Sequence, residues 1–500
     1  MPNTAYQDLE AIFHRISLIT ETIGVLYWDA ATVMPEKGSQ ARSEQLAELK
    51  NIAHNLLISD KIEGLIQEAE TKIEALNIWQ RKNLNEMHSK SIRARAIPRD
   101  LVVAHSKACF SCETTWRNAL KDDNYSVVKP FLQEVLNLSV QIGEAKAAVL
   151  NCSLYNALID SYDPGSDHTE IDKVFKKYEQ IFPNFLNEVL EVQKSETKPI
   201  LYKKPVPAKV QKQLSIKLMS LLGIKFDGGR LDSSAHPFCG GIPEDIRITT
   251  RYDNDNFTSG LMGVLHETGH ALYEMGLPKK WRRQPVGEAM GMSIHESQSL
   301  LIEMQVCRSR QFLNWVAPII RRTFNQSGKE WSGENLHKIF TRVQPTFIRV
   351  DADEVTYPAH VILRYRLEKA LINKSLNLGD LPLAWNDGMK SLLGITPMTN
   401  KEGCLQDIHW FDGAWGYFPS YTLGAMSAAQ FFSAACDSKK EIPNAISKGD
   451  FSHLQSWLID NIHCKGRFFT TPELMKNVTG EHLNPSYFID HLKTRYLSQI

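Results

Sequence analysis

The segment Phe257–Met275 reads FTSGLMGVLHETGHALYEM and contains an H-E-x-x-H pentapeptide, His266-Glu267-Thr268-Gly269-His270. Its apolar residues recur every three or four positions, which predicts an amphipathic α-helix. Two histidines four positions apart stand on one face of a helix, about 6 Å apart, and suit a single tetrahedral Zn²⁺. Glu267 can face a water at that ion without binding the ion. The pattern is typical of zinc hydrolases that use a glutamate as general base.

The alternative is a chance match, because the chain has 16 histidines in 500 residues. Such a match has a probability on the order of a few per cent. However, buried histidines beside a carboxylate would need partners for their charges, since unpaired ionisable groups are costly inside a protein. The helical context therefore favours a metal site.

A catalytic zinc site also needs a third protein ligand and an open position. The apolar spacing of residues 291–304 predicts a second helix after a loop, and this helix carries His295, Glu296 and Glu303. Consecutive helical residues point about 100° apart, so His295 and Glu296 cannot both face the metal. We predict Glu296 as the third ligand. Glu303 is expected behind the site, with a solvated helix face as the alternative.

Further motifs follow one another along the chain. They are His236-Pro237-Phe238, Asp245-Ile246-Arg247-Ile248-Thr249, His295-Glu296-Ser297-Gln298, Ile348-Arg349-Val350-Asp351-Ala352-Asp353 and Gly403-Cys404-Leu405-Gln406-Asp407-Ile408-His409-Trp410. With these motifs and its amino-terminal segment, the chain resembles the carboxypeptidase Taq family of thermostable zinc carboxypeptidases over essentially its whole length. The differences are small, such as Cys239 where threonine is expected.

The resemblance implies a mainly α fold, with one helical body, a deep groove and a small β-sheet beside the zinc site. It implies one Zn²⁺ per chain, with Co²⁺ as a substitute, and release of single residues from peptide carboxyl termini. Broad side-chain tolerance, poor use of proline and a homodimer are also implied. In this mechanism a water activated by the metal attacks the peptide bond, and Glu267 acts as base and then as acid.

The region Asp245–Tyr252 alternates apolar and polar residues, which predicts a strand. The resemblance places this strand beside the metal, where it receives the substrate backbone and where Arg247 contacts substrate. A short hairpin with a surface arginine is the alternative. His236, Pro237 and Phe238 are expected to fix the loop that enters the strand, because proline restrains the residue before it.

The later motifs supply the candidate substrate contacts. Arg349 is predicted to receive the free carboxylate of a peptide, with a local ion pair to nearby acids as the alternative. Gln406 and His409 could donate hydrogen bonds to substrate, with Asp407 fixing their orientation. Tyr417 and Tyr421 are candidate donors to the tetrahedral intermediate. The remaining motif residues are expected to support the site, or in the case of the aromatic ones to fill core: Asp245, Thr249, His295, Gln298, Asp353, Trp410.

Composition sets the broader limits. Lysine plus arginine and aspartate plus glutamate both number 57, so the chain has no net charge to favour nucleic acid or an anionic membrane. Long apolar runs and a secretory leader are not expected, and eight scattered cysteines favour a reduced, cytoplasmic setting. The pair Cys109 and Cys112 is assigned to helix packing, because no second ligand pair follows.

We predict one catalytic unit over residues 1–500, in which a helical part of about 1–205 covers one side of the groove. Residues 197–207 and 226–243 are expected to be irregular, because they are rich in proline and glycine respectively. The alternative activity is a zinc oligopeptidase or dipeptidyl carboxypeptidase with the same metal chemistry. A non-enzymatic helical protein with a lapsed site is disfavoured by the intact Glu267.

Overall fold

The computed structural model describes residues 4–497, and most of this part is helical. The amino-terminal helices are α1 (Thr4–Thr32), α2 (Ser39–Leu57), α3 (Asp60–Thr71), α4 (Ile78–Arg95), α5 (Arg99–Lys121), α6 (Tyr125–Leu150), α7 (Leu154–Ile159), α8 (His168–Ser195) and α9 (Ala208–Leu221). A small sheet follows, with β1 (Gly229–Ser233), β2 (Phe238–Ile242) and β3 (Asp245–Thr250).

The second half is again built of helices. These are α10 (Phe257–Gly276), α11 (Met292–Leu300), α12 (Arg310–Phe324), α13 (Gly333–Phe340), α14 (Tyr357–Ile372), α15 (Leu381–Leu393), α16 (Pro419–Ser438), α17 (Ile442–Ile446), α18 (Ser452–Asn461), α19 (Thr471–Thr479) and α20 (Ser486–Tyr496). A π-helical segment, Leu301–Cys307, continues directly from α11. The predicted mainly α fold with a small sheet is confirmed.

The sheet has the strand order β1-β3-β2, with β1 parallel and β2 antiparallel to β3. The prediction that residues 226–243 are irregular is wrong, because β1 and β2 lie there. Their glycines suggested turns, but only Gly241 has a positive φ, 90°, and a Cβ there would meet the carbonyl oxygen of Asp245. The strand predicted over Asp245–Tyr252 is β3, and it is the central strand.

Apolar side chains form one large core and two smaller clusters. The large core joins α5, α6 and α8 to the helices of the second half. A separate cluster lies among α1, α3 and α4, and a third packs the sheet against α10. In the described part of the chain, none of the helices is sufficiently long and apolar to span a bilayer.

The helix predicted from Phe257 is α10, which ends at Gly276. The second predicted helix is found as α11, but its winding changes at Leu301 from α to π. The helices α2 and α3 are separated at Ile58 and Ser59. Residues 196–207 contain no helix or strand, as their prolines predicted. Cys109 and Cys112 lie on α5 as free thiols.

Candidate metal centre

Three side chains from two neighbouring helices converge at one point. His266 and His270 project from α10 and Glu296 from α11, and their ligand atoms lie within 4.8 Å of one another. Nε2 of His266 is 3.8 Å from Glu296 Oε1, and Nε2 of His270 is 3.5 Å from Glu296 Oε2. The cluster consists of the ligands predicted from the sequence, and nitrogen and carboxylate donors in this combination suit Zn²⁺.

The close approach of α10 and α11 depends on the fourth residue of the pentapeptide, Gly269. A Cβ at this position would lie 2.5 Å from the carbonyl oxygen of Gln298 and 2.6 Å from Cα of Ser299. Contacts of that length do not occur in folded proteins, so any side chain here would separate the helices. Glycine at position 269 therefore brings Glu296 within reach of the two histidines.

Each histidine also has a partner on its outer nitrogen. Nδ1 of His266 lies 2.9 Å from Glu303 Oε2, and Nδ1 of His270 lies 2.7 Å from Nδ1 of His295. His295 in turn places Nε2 2.9 Å from Glu274 Oε1. A carboxylate only accepts hydrogen bonds, so these two series of contacts favour the tautomer of each candidate ligand that carries its proton on Nδ1. In the neutral imidazole this leaves Nε2, the nitrogen nearest Glu296, as the atom that would bind an ion.

Charges at the cluster also suit a cation. Burial opposes a charge on His266, yet Glu296 and Glu303 outweigh it and raise the His266 pKa to about 10. Burial likewise opposes the charge of Glu303, but Arg308 and His266 lower its pKa to about 2. The pKa of Glu296 is lowered by His266 and His270 in spite of burial. These carboxylates create a field that attracts positive charge, and the donor set therefore fits a divalent metal ion.

Glu267 is nearly buried, at 7% exposure, and lies beside the cluster without belonging to it. Burial raises its pKa to about 7, and the charge of Glu296 adds to the increase. A carboxylate with such a pKa can both take and return a proton near neutral pH. The position and the pKa suit the general base that the pentapeptide predicted.

The strand β3 packs beside α10, and Thr249 connects two of the sequence motifs. Its Oγ1 accepts a hydrogen bond from the backbone N–H of Phe238 at 3.1 Å and lies 3.5 Å from the carbonyl oxygen of His236. The side chain of Pro237 reaches the helix at Gly263, where an added Cβ would be 3.8 Å away. These contacts hold the H-P-F loop on the sheet. The loop enters β2, which begins at Phe238, and not β3 as predicted, because an additional strand lies between the motif and β3.

Arg247 is engaged by its own neighbours. It donates to both carboxylate oxygens of Asp245, and its guanidinium lies 4.3 Å from the ring centre of Trp28 on α1. Arg230, its register partner on β1, lies 4.4 Å from the same ring. Contact of Arg247 with substrate stays a prediction; its observed contacts join α1 to the sheet.

Arg349 lies in a buried cluster of charges, but its partner is not one of the neighbouring acids. Its Nε and Nη2 donate to Oδ1 of Asp407 at 2.9 and 2.8 Å, and Nη1 donates to the hydroxyl of Tyr357 at 3.0 Å. The fully buried Arg364 donates to the other oxygen of Asp407. Two guanidinium groups thus share one carboxylate. Burial acts to raise the Asp407 pKa, but these arginines outweigh it and lower the pKa far below its usual range.

Gln406 connects the same two arginines. Its Oε1 accepts from the backbone N–H of Arg349 at 2.8 Å and from Nη2 of Arg364 at 2.7 Å, while its Nε2 donates to backbone carbonyls. Asp353 accepts from the backbone N–H groups of Val355 and Thr356 just before α14. Gln406 and Asp353 therefore support the segments that carry Arg349 and Tyr357.

Tyr357 was not singled out by the sequence motifs, although it lies four positions after Asp353. Its hydroxyl accepts from Arg349, and burial raises its pKa, with the charge of Glu296 contributing. The charge of Glu296 likewise adds to the effect of burial on the pKa values of Tyr417 and Tyr421. Three phenols that stay protonated thus lie close enough to Glu296 for its charge to act on them, and two of them, Tyr357 and Tyr421, also contact Arg349.

His409 lies beside this group, with Nε2 3.1 Å from the hydroxyl of Tyr421. Burial and the nearby Arg349 lower its pKa to about 3, so its imidazole is neutral. Trp410 is core, as the default interpretation of these aromatic residues expected: it stacks on Trp415 and donates from Nε1 to the buried Glu368 at 2.7 Å. Gln298 contacts Ser297 and His463 rather than the candidate ligands.

Comparison with known proteins agrees with this geometry. Residues 8–496 match the family model described as Carboxypeptidase Taq (M32) metallopeptidase. This chain belongs to the carboxypeptidase Taq (M32) family. It is 36% identical to thermostable carboxypeptidase 1 of Thermus thermophilus and 33% identical to carboxypeptidase 1 of Bacillus subtilis. Each alignment covers 99% of this chain, and 99% and 98% of the two relatives.

Solved structures show the same fold. Trypanosoma cruzi metallocarboxypeptidase 1 superposes with a TM-score of 0.97 at 37% identity, covering 99% of this chain and 100% of that one. A carboxypeptidase of Pyrococcus furiosus superposes with a TM-score of 0.95 at 31% identity and the same coverage. This M32 protein is therefore a metal-dependent peptide hydrolase, and its metal-binding candidates are the residues described above.

Proposed function

We propose that this M32 protein is a zinc carboxypeptidase that releases single residues from the carboxyl ends of peptides. His266, His270 and Glu296 hold the ion. Broad side-chain tolerance and poor cleavage at proline follow from the family resemblance. When bound, the ion supplies a Lewis acid that acidifies water and polarises the peptide carbonyl.

The chain's own residues move the proton. Glu267 takes the proton of the attacking water and returns it to the departing amine, acting first as base and then as acid. Its position one residue after His266 places it beside the cluster without using its carboxylate as a ligand. Glu303 and His295 keep the two imidazoles in one tautomer and orientation, as outer partners of metal-binding histidines generally do.

The observation that carries the carboxypeptidase assignment is the donor capacity of Arg349. A guanidinium has five N–H donors, and the bonds of Arg349 to Asp407 and Tyr357 use three. Because Arg364 also shares Asp407, the buried group has more positive than negative charge. This favours a carboxylate as the next partner, and a guanidinium recognises a carboxylate through paired hydrogen bonds.

The phenols connect this anion receptor with the metal cluster. Tyr357 touches Arg349 and is close enough to Glu296 for that charge to act on its pKa. A peptide whose terminal carboxylate meets Arg349 would therefore bring its last peptide bond toward the cluster. Tyr417 and Tyr421 are candidate donors to the developing oxyanion, because burial keeps their hydroxyl groups protonated.

The experiment compares one peptide with a free and with an amidated carboxyl end. We expect release of single residues from the free peptide and little cleavage of the amidated one. Equal cleavage of both would identify an endopeptidase, and release of dipeptides would identify a dipeptidyl carboxypeptidase. Removal of metal with a chelator and restoration with Zn²⁺ or Co²⁺ tests which ion supports the activity.

The organisation of the enzyme is proposed on the same basis. We infer one catalytic unit over residues 1–500, with the helices of about 1–205 covering one side of a groove. A homodimer in the cytoplasm follows from the family resemblance and the scattered cysteines. Sedimentation of the purified chain tests the oligomeric state, and a monomer would contradict the proposed homodimer.

A further inference from the structure

The carboxyl-terminal helix α20 is fastened to a buried carboxylate that neither the pentapeptide nor the proposed mechanism uses. Glu354, whose side chain has no exposed surface, accepts hydrogen bonds from His491 Nε2 at 2.6 Å, Arg495 Nη1 at 2.8 Å and the Tyr496 hydroxyl at 2.9 Å. All three donors belong to α20. A buried carboxylate needs such partners, so Glu354 fixes the position of this helix.

Arg495 also reaches the segment that supports the metal cluster. Its Nη1 donates to the carbonyl oxygen of Met304 at 2.7 Å, in the π-helical segment and next to Glu303. Arg308, which directly follows the segment, donates from Nη2 to Glu303 at 2.7 Å and from Nη1 to the carbonyl oxygen of Phe340 at 2.8 Å. The charge of Glu354 acts on Arg308 as well. A continuous series of contacts thus connects α20 with the carboxylate behind His266.

The other candidate ligand has an independent support. His270 contacts His295, and His295 contacts Glu274, so this series stays within α10 and α11. Within the described part of the chain, the hydrogen bonds and ion pairs of these three residues do not involve α20. The two imidazoles are therefore oriented from different parts of the molecule.

We propose that Arg495 is a positioning residue for the metal site. By holding the backbone at Met304 and the carboxylate of Glu354, it keeps Glu303 in place behind His266 and thereby strengthens metal binding. This inference rests on the proposed ligands His266, His270 and Glu296. The physical reason is that partners of metal-binding histidines fix the ring orientation and increase its basicity.

The first test measures Zn²⁺ affinity of the full chain by competition with a chromophoric chelator. Glu303→Gln is expected to weaken binding by about 10- to 100-fold, and Arg495→Met by about tenfold, because outer partners typically contribute this much. Arg495→Lys keeps the charge but loses the planar fork, so its affinity should lie between those of the wild type and Arg495→Met. Unchanged affinity in both Arg495 variants would overturn the proposal.

Double variants decide whether Arg495 acts through Glu303. If it does, Arg495→Met adds little to the loss already caused by Glu303→Gln, since the two residues belong to one series of contacts. In a double variant of Arg495→Met and Glu274→Gln, the fold-losses of Zn²⁺ affinity of the two single variants should multiply, because Glu274 supports His270 independently. If the fold-losses of Arg495→Met and Glu303→Gln also multiply in their double variant, the inference is wrong.

A matched control separates positioning from loss of stability. Tyr125→Phe removes one buried hydrogen bond, from the hydroxyl to the carbonyl oxygen of Leu378 at 2.8 Å, far along the chain from the cluster. It should lower the melting temperature without changing Zn²⁺ affinity. If Arg495→Met does not fold, Arg495→Lys replaces it in both cycles. A wild type that binds no Zn²⁺ would contradict the proposed function instead.

Discussion

Gly424 on α16 leaves the space that the side chain of Glu296 occupies. A Cβ at Gly424 would lie 2.7 Å from both Cβ and Cγ of Glu296, a separation that real Cβ atoms essentially never show. The helix α16 packs directly on α11 here, so the missing side chain is part of the candidate metal centre although it cannot bind anything. Position 424 therefore restricts where the carboxylate can lie.

Gly424→Ala is expected to push Glu296 from its position and weaken Zn²⁺ binding by about tenfold or more, as other disturbances next to a metal ligand do. Titration with a competing chelator measures the loss. Gly263→Ala on α10 is the matched control, because its Cβ would meet its nearest neighbours at an ordinary 3.7 Å. Equal affinities of the two variants would show that Gly424 has no such role.

Glu267→Gln should keep the metal and lose hydrolysis. The amide has the shape of the carboxylate but cannot take a proton, and general base catalysis contributes about 10²- to 10⁴-fold to such rates. Metal analysis and kcat of the same preparation provide the two measurements. Glu170→Gln, which changes an exposed acid of α8 that pairs with Lys173, is the matched control and should retain kcat. A fully active Glu267→Gln protein would remove the general-base assignment.

Arg349→Lys should reduce kcat/KM for a peptide with a free carboxyl end by about 10- to 100-fold, because hydrogen bonds to charged groups contribute about 1.5–3 kcal/mol. The preference for the free over the amidated peptide should fall by the same factor. Arg366→Lys on α14 is the control, since Arg366 pairs with Glu179 and has a half-exposed side chain. A preference that survives in Arg349→Lys would place the carboxylate elsewhere.

Stability should depend on pH through Glu368. Burial raises its pKa from 4.5 to about 7, although Tyr155, Trp410 and Gly416 donate hydrogen bonds to it. A raised carboxyl pKa means that the folded state binds the proton more tightly. Protonated Glu368 therefore contributes to the free energy of unfolding. This contribution is complete below pH 4.5 and is lost as the pH rises through 7, by up to about 3 kcal/mol.

The comparison that isolates this group is the free energy of unfolding of wild type and Glu368→Gln between pH 5 and pH 8. Glutamine does not titrate, so the wild type should lose free energy of unfolding relative to the variant as the pH increases. The buried Trp410 also loses a hydrogen-bond acceptor in the variant. This loss should lower the free energy of unfolding of the variant by the same amount at every pH. A difference independent of pH would contradict the raised pKa.

The metal cluster could be predicted because its pattern is local. The spacing of His266 and His270 is set by one helix, and the exclusion of His295 follows from the angle between consecutive helical residues. The observed helices confirm this geometry. In contrast, the partner of Arg349 is Asp407, 58 positions away, and no spacing rule identifies a contact formed by distant segments. Tyr357 lies only eight positions after Arg349, but it belongs to none of the motifs, so nothing in the sequence marked it.

Local pattern also failed where backbone geometry departs from the common types. The glycines of β1 and β2 suggested turns, but most of them lie in strands with ordinary φ. The change from α to π winding at Leu301 leaves no signature in the apolar spacing. Within this segment the carbonyl oxygen of Met304 accepts a bond from Arg495, 191 positions away, and the sequence does not reveal such a contact.

The π-helical segment has a consequence for how the chain tolerates deletions. Its wider turns end with the backbone N–H of Arg308 donating to the carbonyl oxygen of Glu303, five residues earlier. Residues five positions apart would point about 140° apart in an ordinary α-helix, but the wider turn places Glu303 and Arg308 on one face. Loss of a single residue between them would restore ordinary winding and leave them four positions apart, a spacing that an α-helix also places on one face. The wider turn thus lets the chain accommodate one additional residue here while the acid behind His266 keeps its arginine.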